Sequence, residues 1–408
     1  MKKYIIFAAA MVAMCACAKV ESEDNGPGTL ITFQAANYVP QTKAIAADTE
    51  FSSFKCKAYM HAEGINLSAA PDYAPSSAGG FQNFFGNAGN SYTETISGTG
   101  YTDANNNSEK DANEYFTSWV PSHSYYWPKS THSFINFVGW YGNTGTDPNV
   151  TYAWNSTSSK YEATLTWDFT TSLGSASSNL LYADMAWRYN ANGTNTAHFT
   201  DPVTDPVTSG VPMLFHHALA QICVKSYATG TSVAKGTGTD TDKVTDGTAT
   251  WTITLENIAV GTIATEGQLS MTNADPGSKA TQPWTMTGTG WTASTSASVN
   301  VSGTFKVNEV SSANAVTVIA NSCVVPQDVS EATLSGKVRV VTTYANGETN
   351  SELIPFTVGF HDMGTDTWAQ NHLYTYFVKY NPSQNTVTFD PAIDAAYQTI
   401  NTTEQSIL

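Results

Sequence analysis

Along most of this chain apolar residues come in short runs, broken every few positions by Gly, Pro or Asn. Phe54-Lys55-Cys56-Lys57-Ala58 shows the pattern: apolar and small residues take one parity and lysines the other. A period of two sends side chains to opposite faces of a strand, so such a run builds a half-buried strand. Short runs bounded by turn residues point to β-sandwiches rather than helices. Charged residues make up only 13% of the chain. Thr, Ser, Asn and Gly abound instead, which suits strands and turns better than salt-bridged helices. The expected fold class is all-β.

The 408 residues suffice for two to three domains of ~150 residues each, and a two-domain body is the default. After a Gly-Pro-Gly spacer at Gly26 to Gly28, the segment 29–34 reads as a first strand and 40–50 as an exposed connection. A second strand is expected over Phe54 to Met60, then a polar region to about residue 112. Aromatics crowd the stretch from Tyr115 to Phe169, among them Trp119, Tyr125, Tyr126, Trp127, Phe134, Phe137, Trp140, Tyr152, Trp154 and Trp167. Three prolines between 190 and 212, with almost no apolar periodicity, place a domain boundary there. The bodies are thus expected at 29–205 and 206–390. In the second, strands are predicted at Leu214 to Val224, Trp251 to Leu255, Ala315 to Ile319, Gly336 to Tyr344 and Leu353 to Val358. Leu373 to Tyr380 and Thr386 to Phe389 make a hairpin across 381–385, and 391–408 is left as a tail.

The leader carries Lys2 and Lys3, an apolar run from Tyr4 to Met14, and then Met14-Cys15-Ala16-Cys17. A charged start, a short apolar core and a small residue before the cut describe a secretory signal, too short to span a membrane. The four residues resemble a bacterial lipobox. Cys17, preceded by Ala16, fits better than Cys15, preceded by the bulky Met14. That resemblance implies a signal peptide over 1–17, with acyl chains on Cys17. Two or more such chains give durable anchoring. Residues 18–28 form an acidic linker, and Glu21, Glu23 and Asp24 resemble the tag that sends Bacteroidetes lipoproteins to the outer face of the outer membrane.

Of the 18 basic residues, Lys2 and Lys3 leave with the leader, so 16 face 34 acidic ones and the formal charge becomes −18. Such a surface repels nucleic acid and anionic lipid. Beyond the lipobox Cys56, Cys223 and Cys323 stand far apart, odd in number and without a CxxC, so they give neither a disulfide framework nor a zinc signature. They read as buried thiols. No GxSxG elbow, HExxH or P-loop is present, so the chain is not expected to be an enzyme and no cofactor is implied.

Asp103, Asn105, Asn107, Asp111 and Glu114 fall at the spacing of an EF-hand calcium loop. Ser108 stands where that loop needs glycine, and no amphipathic helix flanks it, which favours a solvated polar loop. His216 and His217 are adjacent on a predicted strand and so point to opposite faces, which prevents both from holding one metal. The aromatic crowd offers sugar-stacking platforms only if several rings lie outside, whereas aromatics in a sandwich ordinarily fill the core. Asp240, Asp242 and Asp246 read as solubilising.

With both halves in view, the chain resembles the fimbrillin family of Bacteroidetes, the lipoprotein-derived subunits of type V pili. Leu30-Ile31-Thr32-Phe33 followed by Thr42-Lys43-Ala44 is similar to the family's first strand and its Thr-Arg-Ala connection, with lysine for arginine. Tyr126-Trp127-Pro128 leading to Phe134-Ile135-Asn136-Phe137-Val138 resembles its YWP segment, and Asn179 to Ala183 the strand closing its first domain. The segment from Leu214 to Ile222 resembles its F-x-H-A-L-x-x-I strand, with His217 at its structural histidine. Val324-Val325-Pro326-Gln327 resembles its I-P-Q turn. Trp368 through Leu373-Tyr374-Thr375-Tyr376-Phe377 resembles its closing motif, with Asn371 where a glycine is usual.

The resemblance implies two tandem transthyretin-like β-sandwiches. It implies an outer-membrane lipoprotein precursor cut between Lys43 and Ala44, losing its first strand, and an extracellular fimbrium built with other fimbrial subunits by strand exchange. The tail 391–408, with Ile393, Ala395 and Tyr397 on one parity, is the candidate donor strand. The alternative is a tip adhesin, or a surface lipoprotein that binds host or bacterial glycans without forming the stalk.

Overall fold

The structure is a computed structural model. It describes residues 30–38, 45–46, 51–61, 81–87, 90–101, 103, 106, 116–126, 134–142, 147–157, 160–173, 179–183, 186–191, 194–198, 210–234, 242–274, 286–287 and 291–396. Strands dominate, and helix among the described residues is confined to two single 3-10 turns, Ser312–Asn314 and His361–Met363. The fold is all-β, as the alternation requires. In the strand Ser53–His61, Phe54, Cys56 and Ala58 are buried while Lys55 and Lys57 are half-buried on the other face.

Among the described residues an eleven-stranded sheet runs in the order Thr194–His198, Ala186–Ala191, Phe134–Gly142, Leu180–Ala183, Val211–His217, Phe33–Tyr38, Phe116–Pro121, Glu94–Tyr101, Ser53–His61, Gln82–Asn83, with Ile45–Ala46 beside the first strand. Ser53–His61 also pairs with Phe134–Gly142, so the sheet closes on itself. Closure pairs both edges of the strands in the ring, leaving Thr194–His198 and Gln82–Asn83 as short outer strands. Its interior is filled by Ile31, Phe33, Phe54, Trp119, Phe137 and Phe215.

A nine-stranded sheet centres on the long strand Ala249–Ala274, and a four-stranded sheet runs Val316–Val324, Ala220–Ala228, His372–Asn381, Thr386–Ala396. They enclose a second core that includes Ile222, Val224, Leu255, Trp368 and Tyr376. The hairpin read from residues 373–389 is present, as His372–Asn381 against Thr386–Ala396. Its second arm runs six residues into the segment read as tail, pairing Ala396 with His372, and the exposed Ile393 lies on that arm. Residues 397–408 lie outside the described residues.

The boundary expected at 205 is not where the sheets divide. Val211–His217 belongs to the first sheet, between Phe33–Tyr38 and Leu180–Ala183, and Ala220–Ala228 opens the four-stranded sheet. The strand expected over Leu214 to Val224 is therefore two, broken at Ala218 and Leu219. There the Ala218 N–H donates to Leu180 O at 2.8 Å, and Leu219 O accepts from the Asn371 N–H at 3.0 Å, so one step of chain is claimed by both sides. Asn371 sits at φ 64 in the left-handed region. Asn tolerates that region, and so stands in for the glycine the turn would otherwise want.

Pairing and packing also cross the expected boundary. Lys160–Thr170, from the first half, pairs with Ala249–Ala274 from Glu162 opposite Ala274 to Thr170 opposite Glu266. A third cluster of buried side chains draws Trp140, Tyr152 and Trp167 from one side of the expected boundary and Leu269, Cys323 and Val325 from the other. Burying apolar surface jointly ties the stability of the halves together.

Candidate functional site

The first strand is the one element whose seat has a shape that bears on function. Phe33–Tyr38 runs parallel to Val211–His217, from Phe33 opposite Val211 to Asn37 opposite Phe215. On its other side the antiparallel register with Phe116–Pro121 is the pair Phe33–Trp119. Just before the strand, the Ile31 N–H donates to Tyr125 O at 2.8 Å and Leu30 bridges Tyr126. The strand is thus zipped along one flank, and on the other it is held at its beginning and, by Ile45–Ala46, at its end.

Period-two packing does the rest. Ile31 and Phe33 are fully buried and Ala35 nearly so, while Thr32 between them is half-buried. The Phe33 ring meets Phe54 edge-on at 6.0 Å and Phe137 at 5.4 Å, favoured geometry for aromatic pairs. Phe51, the first described residue after the connection, packs on Phe54, Trp119 and Phe215 in the same core. Gly210 fixes how closely the strand approaches. It has φ +89, and a Cβ there would lie 2.8 Å from the Thr32 carbonyl carbon and 2.9 Å from the Phe33 backbone. Gly210→Ala is expected to cost about 1–2 kcal/mol from the left-handed conformation alone. Because the contact is with backbone, it is also expected to raise amide exchange across residues 31–36. Unchanged exchange with unchanged stability would show that the strand does not need this clearance.

Cys17, Lys43 and Ala44 lie outside the described residues. Ile45–Ala46 pairs antiparallel with Asn37 and Tyr38. Of the calcium pattern only Asp103 is described, while Asn105, Asn107, Asp111 and Glu114 lie outside. Among the described residues there is no group of three or more His, Cys, Asp or Glu able to hold a metal.

His217 is buried, with Nδ1 3.3 Å from the Asn179 side-chain amide, and His216 stacks on Tyr182 at 5.2 Å. The aromatic crowd is mostly core: Trp119, Phe137, Trp140, Tyr152 and Trp167 are buried, and Tyr126 is exposed. Tyr152 stacks between Tyr59 at 4.1 Å and Tyr161 at 5.3 Å. Asp246 shapes a turn, accepting from the backbone N–H of Thr248 at 2.8 Å and of Ala249 at 3.1 Å, and the Thr248 hydroxyl leads the contacts that lower its pKa. Cys56, Cys223 and Cys323 are all buried, and burial pushes the thiols of Cys56 and Cys223 up.

Sequence reasoning missed Glu94. It is fully buried on Glu94–Tyr101, and its carboxylate gathers Ser122, His123 and Tyr125, the last of which meets the start of the first strand through its carbonyl. Nothing in Tyr92-Thr93-Glu94-Thr95 distinguishes it from a surface glutamate. Its signal is burial, since a fully buried Glu is rare unless paired.

The sequence matches no protein-family model and no curated protein. Among solved structures, a fimbrial protein of Bacteroides vulgatus is 14% identical, with a TM-score of 0.43 over 90% of this chain and 100% of its own. A Bacteroides uniformis protein provisionally assigned to cell adhesion is 13% identical, with a TM-score of 0.41 over 90% and 98%. The tip fimbrial protein Mfa3 of Porphyromonas gingivalis, C-terminally truncated, is 10% identical, with a TM-score of 0.25 over 90% and 99%.

Proposed function

We propose that the chain is a structural subunit of a cell-surface fimbria, exported as a lipoprotein on Cys17 and matured by a cut between Lys43 and Ala44 that releases the first strand. The observation that carries this reading is the seat of Phe33–Tyr38, a strand near the start of the chain that completes a closed sheet assembled from later residues. If it leaves, Val211–His217 loses the ladder partner on one of its two edges, and Phe54, Phe137 and Phe215 face an open apolar slot. Unpaired backbone beside exposed apolar surface invites an added strand, which satisfies both. A strand donated by a second subunit makes a head-to-tail contact that need not close, so it builds a filament. The reading makes other fimbrial subunits the partners and leaves the donor to the segment after residue 390. That donor would have to give up the pairing of Thr386–Ala396 beyond Asp390, or be drawn from 397–408.

Limited trypsin treatment of the purified precursor tests it. The expected result is a cut after Lys43, loss of residues 17–43 and ladders on unboiled gels. Lys43→Ala is expected to abolish both cut and ladder while leaving thermal stability unchanged. A cut chain that stays monomeric would overturn the reading.

A further inference from the structure

The hydrogen bonds that hold the start of the first strand come from residues 122–126, a segment organised by one buried carboxylate. Glu94 Oε1 accepts from the Ser122 hydroxyl and from the His123 backbone N–H at 3.2 Å, and Oε2 accepts from the Tyr125 hydroxyl at 2.9 Å. His123 Nδ1 lies 3.2 and 3.1 Å from the two oxygens. The Ser122 N–H donates to Thr95 O at 2.9 Å, and the Tyr125 ring packs 4.5 Å from Phe85. The same segment then turns its backbone to the first strand, Tyr125 O accepting from the Ile31 N–H at 2.8 Å and Tyr126 bridging Leu30. Along the strand itself, the described register on this flank is the Phe33–Trp119 pair and, at the far end, Asn37 opposite Ala46 and Tyr38 opposite Ile45.

We propose that Glu94 and residues 122–126 form a clasp that sets how readily the first strand leaves its seat. This deepens the reading of that strand as a removable piece and rests on it. Charge-assisted hydrogen bonds are roughly twice as strong as neutral ones, so the ionised carboxylate holds the segment better than any neutral replacement.

The groups facing Glu94 are His123 and Tyr125 from the segment, Tyr92 beside them with its ring 5.9 Å from that of His123, and Cys56 opposite on Ser53–His61. Burial opposes the charged form of Glu94, but hydrogen bonds from Ser122, Tyr125 and His123, with the nearness of the His123 ring, hold its pKa below the ordinary glutamate range. Burial, then the bond to Glu94, pushes the Tyr125 hydroxyl up, and burial pushes the Cys56 thiol up, so both stay protonated in acid. A carboxylate depressed in the folded state contributes above its unfolded pKa and loses that contribution as pH falls through the folded one. The clasp therefore tightens towards neutrality and loosens in acid.

The test uses the full uncut chain and hydrogen–deuterium exchange, comparing wild type with Glu94→Gln and Tyr125→Phe. Glu94→Gln is expected to raise exchange in residues 30–38 by about tenfold or more, and Tyr125→Phe by less, with the 372–396 hairpin unchanged. A fluorescent synthetic peptide copying residues 29–38 then reads release after trypsin, and is expected to enter the Glu94→Gln chain faster than wild type. Unchanged exchange at 30–38, or an equal rise throughout the chain, would overturn the clasp. Should Glu94→Gln fail to fold, Tyr125→Phe, which keeps the carboxylate, decides by the same readout. Raised exchange at 30–38 with no peptide incorporated would uphold the clasp and overturn the removable-strand reading.

Discussion

Phe33→Ala is expected to lower the unfolding free energy by about 3–5 kcal/mol, the usual cost of deleting a fully buried aromatic ring. Phe33 is 0% exposed, and its ring packs edge-on against both Phe54 and Phe137, so the cavity opens in the middle of the first core. The ring is also the chief apolar anchor of a strand whose backbone is laddered along one flank. Urea unfolding should show a lower midpoint with little change in slope, and Phe33→Leu should recover most of the loss. A loss under about 1 kcal/mol would mean that the strand is not part of the cooperative unit, whatever its place in the sheet.

Gln327→Ala is expected to cost about 2–4 kcal/mol, because it strands several backbone groups at once. The Gln327 side chain acts as a short length of strand. Its Oε1 accepts from the Ala264 N–H at 2.6 Å, and its Nε2 donates to Ala264 O at 3.1 Å and Val325 O at 3.0 Å. Ala264 lies where the pairing of Ala249–Ala274 with Trp291–Lys306 is irregular, and Thr262 nearby is at φ 59. Gln327→Glu is the sharper probe, keeping the acceptor and losing both donors. Denaturation midpoints in the order wild type, Glu, Ala would support this role, and equal midpoints for all three would remove it.

What was legible in the sequence follows from what each signal encodes. Alternation in Phe54 to Ala58 gave the strand and its buried face, because a half-buried strand must alternate. The hairpin across 381–385 was legible because turn residues join two strand runs there. Trp291–Lys306 escaped because its Thr-Ala-Ser-Thr-Ser-Ala-Ser run offers no contrast between faces. The Leu214 to Val224 run hid a change of sheet because Ala218 and Leu219 are themselves apolar and buried, as are Phe215, Ala220 and Ile222 around them. Long-range partners leave no local trace. Nothing near Phe33 names Val211 as its neighbour, and nothing near Glu94 names Tyr125. The motif that ends in Gln327 marked an important residue without revealing that its amide completes a ladder.

The long strand Ala249–Ala274 has a mechanical consequence. It is laddered to Thr333–Tyr344 at its start and to Lys160–Thr170 at its end. Tension between the two halves is thus carried along a continuous stretch of backbone rather than taken up by a slack tether. Ladder hydrogen bonds between antiparallel strands lie perpendicular to the strand direction. A pull along the strand therefore loads them together in shear, instead of opening them one after another. A chain wired this way would transmit force before it lengthened.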